Sequence, residues 1–186
     1  MPRGNVTADH GEGMGEHNYY FNHGRLIFNE QIHVPLLLRL PKHPAQEIAY
    51  PVSHVDVVPT LLELVGLQPP AAVRGRNLLD PTEREILVEN LINGRQIALL
   101  WKGLKELYFD GRWKLYDVRK DFLETRNLNR PKMGKTLAAH QHELRARLQW
   151  WSQQDALRLS QPVDSLLIKG NREDRLRTFR ALGYVQ

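Results

Sequence analysis

Residues 84–118 constrain the fold most. Three β-type runs follow one another there: REILVENL (84–91), RQIALLWKG (95–103) and KELYFDGRWKLYDV (105–118). The last is cut by Asp110-Gly111, a dipeptide suited to the positive backbone angles of a two-residue hairpin. Successive strands with tight turns predict a small antiparallel sheet. GKTLAAHQHELRARLQWWSQQDAL (134–157) then predicts one long helix, with Leu137, Leu144, Leu148 and Trp151 on a single stripe and charges opposite. The tail DRLRTFRALGYVQ predicts a short helix docking Leu176, Phe179 and Leu182.

The preceding half reads differently. VTA (6–8) is a short β-type run ending in Asp9, followed by a glycine-punctuated loop to about residue 24. LIFNEQI (26–32) suits a helical turn or two, and HVPLLLRL (33–40) is a continuous apolar run of the kind a buried strand shows. In SHVDVVPTLLELVGL (53–67), Val55, Val58, Leu61, Leu62 and Val65 recur at helical spacing. Ser53 or Asp56 caps the start, Pro59 fits an early turn, and Gly66 stops the helix. Residues 68–84 read as loop from their prolines and glycines. Only two candidate parallel strands are visible. The layout is therefore an α/β sheet edge over residues 1–83, followed by a small α+β subdomain over residues 84–186.

Composition narrows the chemistry. The 186 residues include no cysteine, which removes disulfides, thiolate metal sites and a cysteine nucleophile, and leaves the redox compartment open. No apolar run has the length of a signal peptide or a membrane span, so the chain as given reads as soluble, with its localisation open. The net charge of +5 is spread along the chain beside acids rather than gathered in an aromatic-interleaved stripe, which argues against nucleic-acid binding.

TADHGEGMGEHNYYFNHG (7–24) is the stretch with chemistry in it. His10, His17 and His23 fall here, beside Asp9, Glu12 and Glu16 and among four glycines. Asp9 and His10 sit where a strand gives way to a loop, the place where sites form in open α/β sheets. A carboxylate beside an imidazole suits a divalent cation, the carboxylate favouring hard ions. Two ligands are too few, so further ligands or substrate oxygens must come from elsewhere. The spacing matches neither an EF-hand loop nor a zincin helix, and neither G-x-S-x-G nor a phosphate-binding P-loop is present. Glu12 and Glu16 read as loop hydrogen-bonders, His33 and His54 as packing residues, and Asp56 as a helix cap. His140 and His142 receive no role.

VTADHGEGMGEHNYYFNHGRLIFNEQIHVPLLLRLP resembles the later part of the catalytic domain of sulfatases, in the alkaline phosphatase superfamily. The resemblance continues in order through SHVDVVPTLLELVGL, RGRNLL, KLYDVRKDFLETRNL and FRALGYVQ. It implies an incomplete alkaline-phosphatase-like sheet edge, followed by a small C-terminal antiparallel sheet packed with a long helix. It implies Asp9 and His10 as metal ligands for calcium or magnesium, and His23 near the position that meets the sulfate oxygens. His17, in the same loop, would contact the substrate or leaving group. The implied reaction is hydrolysis of a sulfate ester. In relatives the nucleophile is a formylglycine made from Cys or Ser in a C/S-x-P-x-R motif far upstream, which this chain lacks, as it lacks the two early metal-binding carboxylates. The chain therefore resembles the C-terminal portion of a sulfatase, inactive alone and missing its N-terminal half. Pro2, Arg3, Gly4 and Asn5, where an apolar lead-in is expected, suggest a truncated or mis-started frame. Two other readings stay open: a phosphodiesterase, phosphonate hydrolase or phosphotransferase of the same superfamily, and a non-catalytic structural or complementing module.

Overall fold

The computed structural model describes residues 4–40, 44–70, 73–80, 82–90 and 96–159. The expected tail helix lies outside them. In chain order the elements are β1 (Gly4–Thr7), β2 (Gly13–Met14), β3 (Tyr20–Asn22), α1 (Asn29–Ile32), β4 (Leu36–Arg39), α2 (Val57–Leu64), β5 (Ile86–Asn90), β6 (Gln96–Trp101), β7 (Leu104–Phe109), β8 (Arg112–Asp117) and α3 (Lys135–Leu159). Contacts divide the chain into Met1–Gln149 and Trp150–Gln186. In the second unit, Trp150 and Trp151 meet edge to face at 5.0 Å between ring centroids. Among the described residues, no helix is long and apolar enough to cross a membrane.

The C-terminal meander forms as its turns require. β5, β6, β7 and β8 lie side by side in sequence order, all antiparallel. Asp110 and Gly111 take φ 51° and 70°, and Lys102-Gly103 makes a second such turn at 50° and 77°.

β7 is central, and Leu104, Lys105, Glu106 and Leu107 are all buried. Successive side chains of a strand point to opposite faces. Lys105 and Leu107 face one side, where Leu107 joins Ile27, Phe28, Ala98 and Tyr116 in a core cluster. Glu106 faces the other side, toward α3: Gln141 and Arg145 both donate to its carboxylate, at 2.9 Å and 2.7 Å. Leu144 and Leu148 share that helix face and are buried. The segment around Phe28 thus covers one face of the sheet and α3 the other.

The N-terminal strands depart from expectation in direction. β1 and β4 pair antiparallel, Gly4 opposite Arg39 and Thr7 opposite Leu36. A parallel pair needs a long crossover, usually a helix laid on the sheet. Here the connection is spent on the β2–β3 hairpin and the four-residue α1, which turn the chain back on itself.

α2 has the predicted signals at both ends. Ser53 and Asp56 form a reciprocal capping box on the 3-10 turn His54–Asp56 that runs directly into the helix. Gly66, at φ 79°, closes the other end, with Leu67 N–H donating to Leu62 O at 2.9 Å. Its faces are reversed from the usual arrangement. Asp56, Pro59 and Thr60 point inward, whereas Val55, Val58 and Val65 are each about half exposed. Asp56 holds the Arg84 guanidinium and accepts from Arg76 N–H at 2.8 Å, and Thr60 Oγ1 bridges Asp56 O and Leu78 N–H. The apolar stripe predicted for this helix therefore has nothing among the described residues to cover it fully.

Candidate metal and anion site

β1 delivers Asp9 and His10 to the mouth of the glycine-rich loop. His10 N–H donates to Asp9 Oδ1 at 3.1 Å. Nδ1 of His10 lies 2.8 Å from the carbonyl oxygen of Gly11, so that nitrogen carries a proton, and in the neutral ring Nε2 is the one with the lone pair. Nε2 stands 3.7 Å from Asp9 Oδ2, on a carboxylate that is 90% exposed. Two adjacent ligands at right angles around a hard cation with bonds of 2.3–2.6 Å are separated by about 3.3–3.7 Å. The pair fits one side of a calcium-type shell. Among the described residues, no group of three or more His, Cys, Asp or Glu side chains could hold a metal, so the fit is that of a partial shell.

His23 joins this pair across the loop. Its ring stacks on that of His10, with centroids 3.9 Å apart and planes 18° from parallel. Its Nδ1 lies 3.1 Å from Glu12 Oε2, which orients the ring and leaves Nε2 free to face a ligand. Buried Gln31 fastens the loop from behind. Its Oε1 accepts from Gly24 N–H at 3.0 Å and its Nε2 donates to Asn22 O at 3.2 Å. Glu16 accepts from Met14 N–H at 2.8 Å. Main-chain N–H groups of Glu16 and Met14 hold its carboxyl below the usual range.

His17 is drawn elsewhere. It sits at φ 54°, stacks on Phe28 at 3.6 Å, and directs Nδ1 to Glu30 Oε1 at 2.9 Å and Nε2 to Glu124 O at 3.2 Å. Burial pulls its pKa down, but the Glu30 hydrogen bond, the Glu124 carbonyl and the nearby acids outweigh this, and the net shift is upward. The loop thus brings Asp9, His10 and His23 together and leaves His17 apart. His33 packs edge-on against Phe122, and His54 Nε2 meets Thr7 Oγ1 at 3.0 Å, just before the site. Two residues that sequence reasoning passed over, Gln31 and Glu124, hold the loop. Both lie inside segments that carry the resemblance, but only their partners in space mark them individually.

Gly11 explains why a glycine follows the pair. A Cβ there would lie 2.0 Å from the main-chain oxygen of Glu30, and Gly11 N–H itself donates to Gln31 O at 2.7 Å. Gly11→Ala is expected to destabilise the fold by about 1–3 kcal/mol through overpacking and to perturb the His10 ring resonances. A denaturation midpoint and His10 spectrum equal to wild type would show that the α1 segment gives way freely.

Asp9 and His10 line an open groove of about 1330 Å³ that also runs along β1, β4 and β5. Residues 6–67 match the sulfatase family model. The uncharacterized sulfatase YidJ of Escherichia coli K12 is 34% identical over 84 residues, which are 45% of this chain and 17% of that protein. A solved 2-O GAG sulfatase superposes with a TM-score of 0.66 at 25% identity, over 86% of this chain and 38% of that one. A phosphonate monoester hydrolase from Silicibacter pomeroyi shares the fold, with a TM-score of 0.62 at 24% identity over 83% of this chain and 34% of that one. The chain spans well under half the length of these relatives. The resemblance read from the sequence and the alkaline-phosphatase-like fold class are both borne out.

Proposed function

We propose, on the premise that residues 6–67 of this chain are sulfatase sequence, that it supplies one part of a sulfate-ester hydrolase centre. Asp9 and His10 are the ligands for a calcium or magnesium ion, and His23 meets an oxygen of the sulfuryl group. The observation that carries this reading is the meeting of these three side chains at one place, Asp9 and His10 on the wall of the open groove and the His23 ring stacked on that of His10. A divalent ion bound there would supply positive charge opposite the ester's anionic oxygens. The chain's own residues do the rest by orientation. Gly11 O holds a proton on His10 Nδ1, so Nε2 is the nitrogen that would ligate the ion. Glu12 holds the His23 ring so that Nε2 faces the ester, where a protonated ring donates to an oxygen as charge develops on it.

The nucleophile and the remaining ligands come from outside this chain, which contains no cysteine to become formylglycine. The exposed apolar stripe of α2 and the exposed Val6 and Leu37 of the β1–β4 pair support a larger fold that covers these surfaces. The test is an aryl sulfate assay on the chain alone, and on the chain mixed with a separately expressed sulfatase N-terminal segment carrying C-x-P-x-R. No turnover is expected alone. Calcium-dependent turnover is expected in the mixture and falls by about 10²–10³-fold with Asp9→Ala or His23→Ala, the scale on which one charge-stabilising group acts. Turnover by the chain alone, or full activity in Asp9→Ala, overturns the reading. Preference for an aryl phosphonate in the same assay would favour the phosphonate hydrolase reading, which rests on fold alone.

A further inference from the structure

We propose that His17 is a proton-dependent clasp and a positioning residue. With both ring nitrogens protonated it ties the glycine-rich loop to the turn at residues 121–125 and so keeps His23 against His10. Loss of one ring proton undoes that tie. The inference stands on the loop's geometry and holds whether or not the sulfatase reading does.

The two partners of the ring are both acceptors, the Glu30 carboxylate and the main-chain oxygen of Glu124. A neutral imidazole has one N–H and can satisfy only one of them, whereas an imidazolium satisfies both. The groups facing the ring favour that charge. Glu30 comes from α1, Asp121 and the Glu124 carboxylate from the turn after β8, and Glu16 from the loop itself. Two cations lie nearby: Lys105 of β7 is engaged by Glu124 at 2.8 Å, and Lys114 of β8 stands 5.4 Å from the centroid of the Phe28 ring. Phe28 closes the face of the ring.

The loop needs such a tie. His17, Asn18 and Phe21 hold positive φ angles of 54°, 58° and 47°, uncommon for residues with a Cβ. Little buried apolar surface repays that strain: no residue of the Glu16–Asn18 turn is buried, and Phe21 is 80% exposed. Gln31 secures the far end of the hairpin. His17 secures its tip, across 107 positions of sequence. Because the ring's pKa is raised on folding, the clasp is complete below the ordinary imidazole value of 6.5 and is lost as pH rises through the folded value.

The full chain is examined from pH 6 to pH 9 by 15N NMR of the histidine rings, with His17 assigned from His17→Gln. Amide hydrogen exchange is followed in parallel, corrected for intrinsic rates. Both His17 nitrogens are expected to carry protons at pH 6, below the ordinary imidazole value. Protection of residues 13–23 is expected to fall by about tenfold for each pH unit by which the ring's midpoint exceeds 6.5, while β6 and β7 stay protected. Glu30→Gln, a gentler change, is expected to lower that midpoint and move the exchange step with it. A bare ring nitrogen at pH 6, a loop whose protection ignores pH, or a step that persists in His17→Gln overturns the proposal.

Discussion

Glu124→Ala is expected to lower the unfolding midpoint by about 10 °C. Lys105 and Glu124 are both fully buried, and Lys105 Nζ stands 2.8 Å from Glu124 Oε1. Lys105 also donates to Ile27 O at 2.8 Å, and Glu124 Oε2 accepts from Asn29 N–H at 2.6 Å. Burial pushes the Lys105 ammonium down and the Glu124 carboxyl up, and each partner works against that displacement in the other. Removing the carboxylate leaves a buried ammonium without its counter-ion, at a cost of about 3–5 kcal/mol. At roughly 2–4 °C per kcal/mol for a chain of this size, the loss is measurable in any thermal melt. The double variant Lys105→Met with Glu124→Leu is expected to recover most of it, since apolar residues of similar volume can replace a buried pair at little net cost. A midpoint within about 2 °C of wild type in Glu124→Ala would show that water reaches Lys105, contrary to its burial here.

Phe28→Ala is expected to cost a similar amount, about 3–5 kcal/mol. Phe28 is 1% exposed and lies where the α1 segment meets the sheet. Its ring makes edge contacts with Phe109 at 5.6 Å and Tyr116 at 6.2 Å, and Lys114 Nζ lies 5.4 Å from its centroid. The cavity left by alanine opens between the two halves of the first unit and removes the surface on which His17 stacks. Two effects should therefore appear together in the same variant, a lowered denaturation midpoint and faster exchange across residues 13–23. A loss below about 1 kcal/mol would mean that the sheet collapses onto the void and that the contact is less exacting than its geometry suggests.

Much of this fold is legible because its signals are local. Asp110-Gly111 marks a hairpin, Ser53 and Gly66 bracket α2, and the Leu144–Leu148 spacing places α3 on the sheet. What cannot be read depends on partners far along the chain. The direction of β4 relative to β1 is set by a short hairpin and a four-residue helix, which leave no period in the sequence. The polar inward face of α2 depends on Arg84 and on the main chain around Arg76 and Leu78. Lys105-Glu106 looks like the solvated part of a strand, because nothing local announces Glu124 on one side and Gln141 with Arg145 on the other.

The site divides in the same way. Asp9 beside His10 is adjacent in sequence and needs only the end of a strand to bring the two side chains together. The His10–His23 stack is closed by a hairpin with three non-glycine residues in the left-handed region, and propensity argues against each of them. His17 lies among the same motif letters as His23, yet its partners are 13 and 107 positions away.

The opposed charges of β7 have a consequence for how the meander assembles. Leu104 and Leu107 suit either side of the sheet, so apolar pattern alone would leave the strand's pairing ambiguous. A one-residue slip inverts every side chain. Lys105 would then meet the Arg145 guanidinium, and Glu106 would meet the carboxylates of Glu124 and Glu30, like charge against like charge. The misaligned sheet is thereby penalised at two points at once, and the strand proofreads its own alignment.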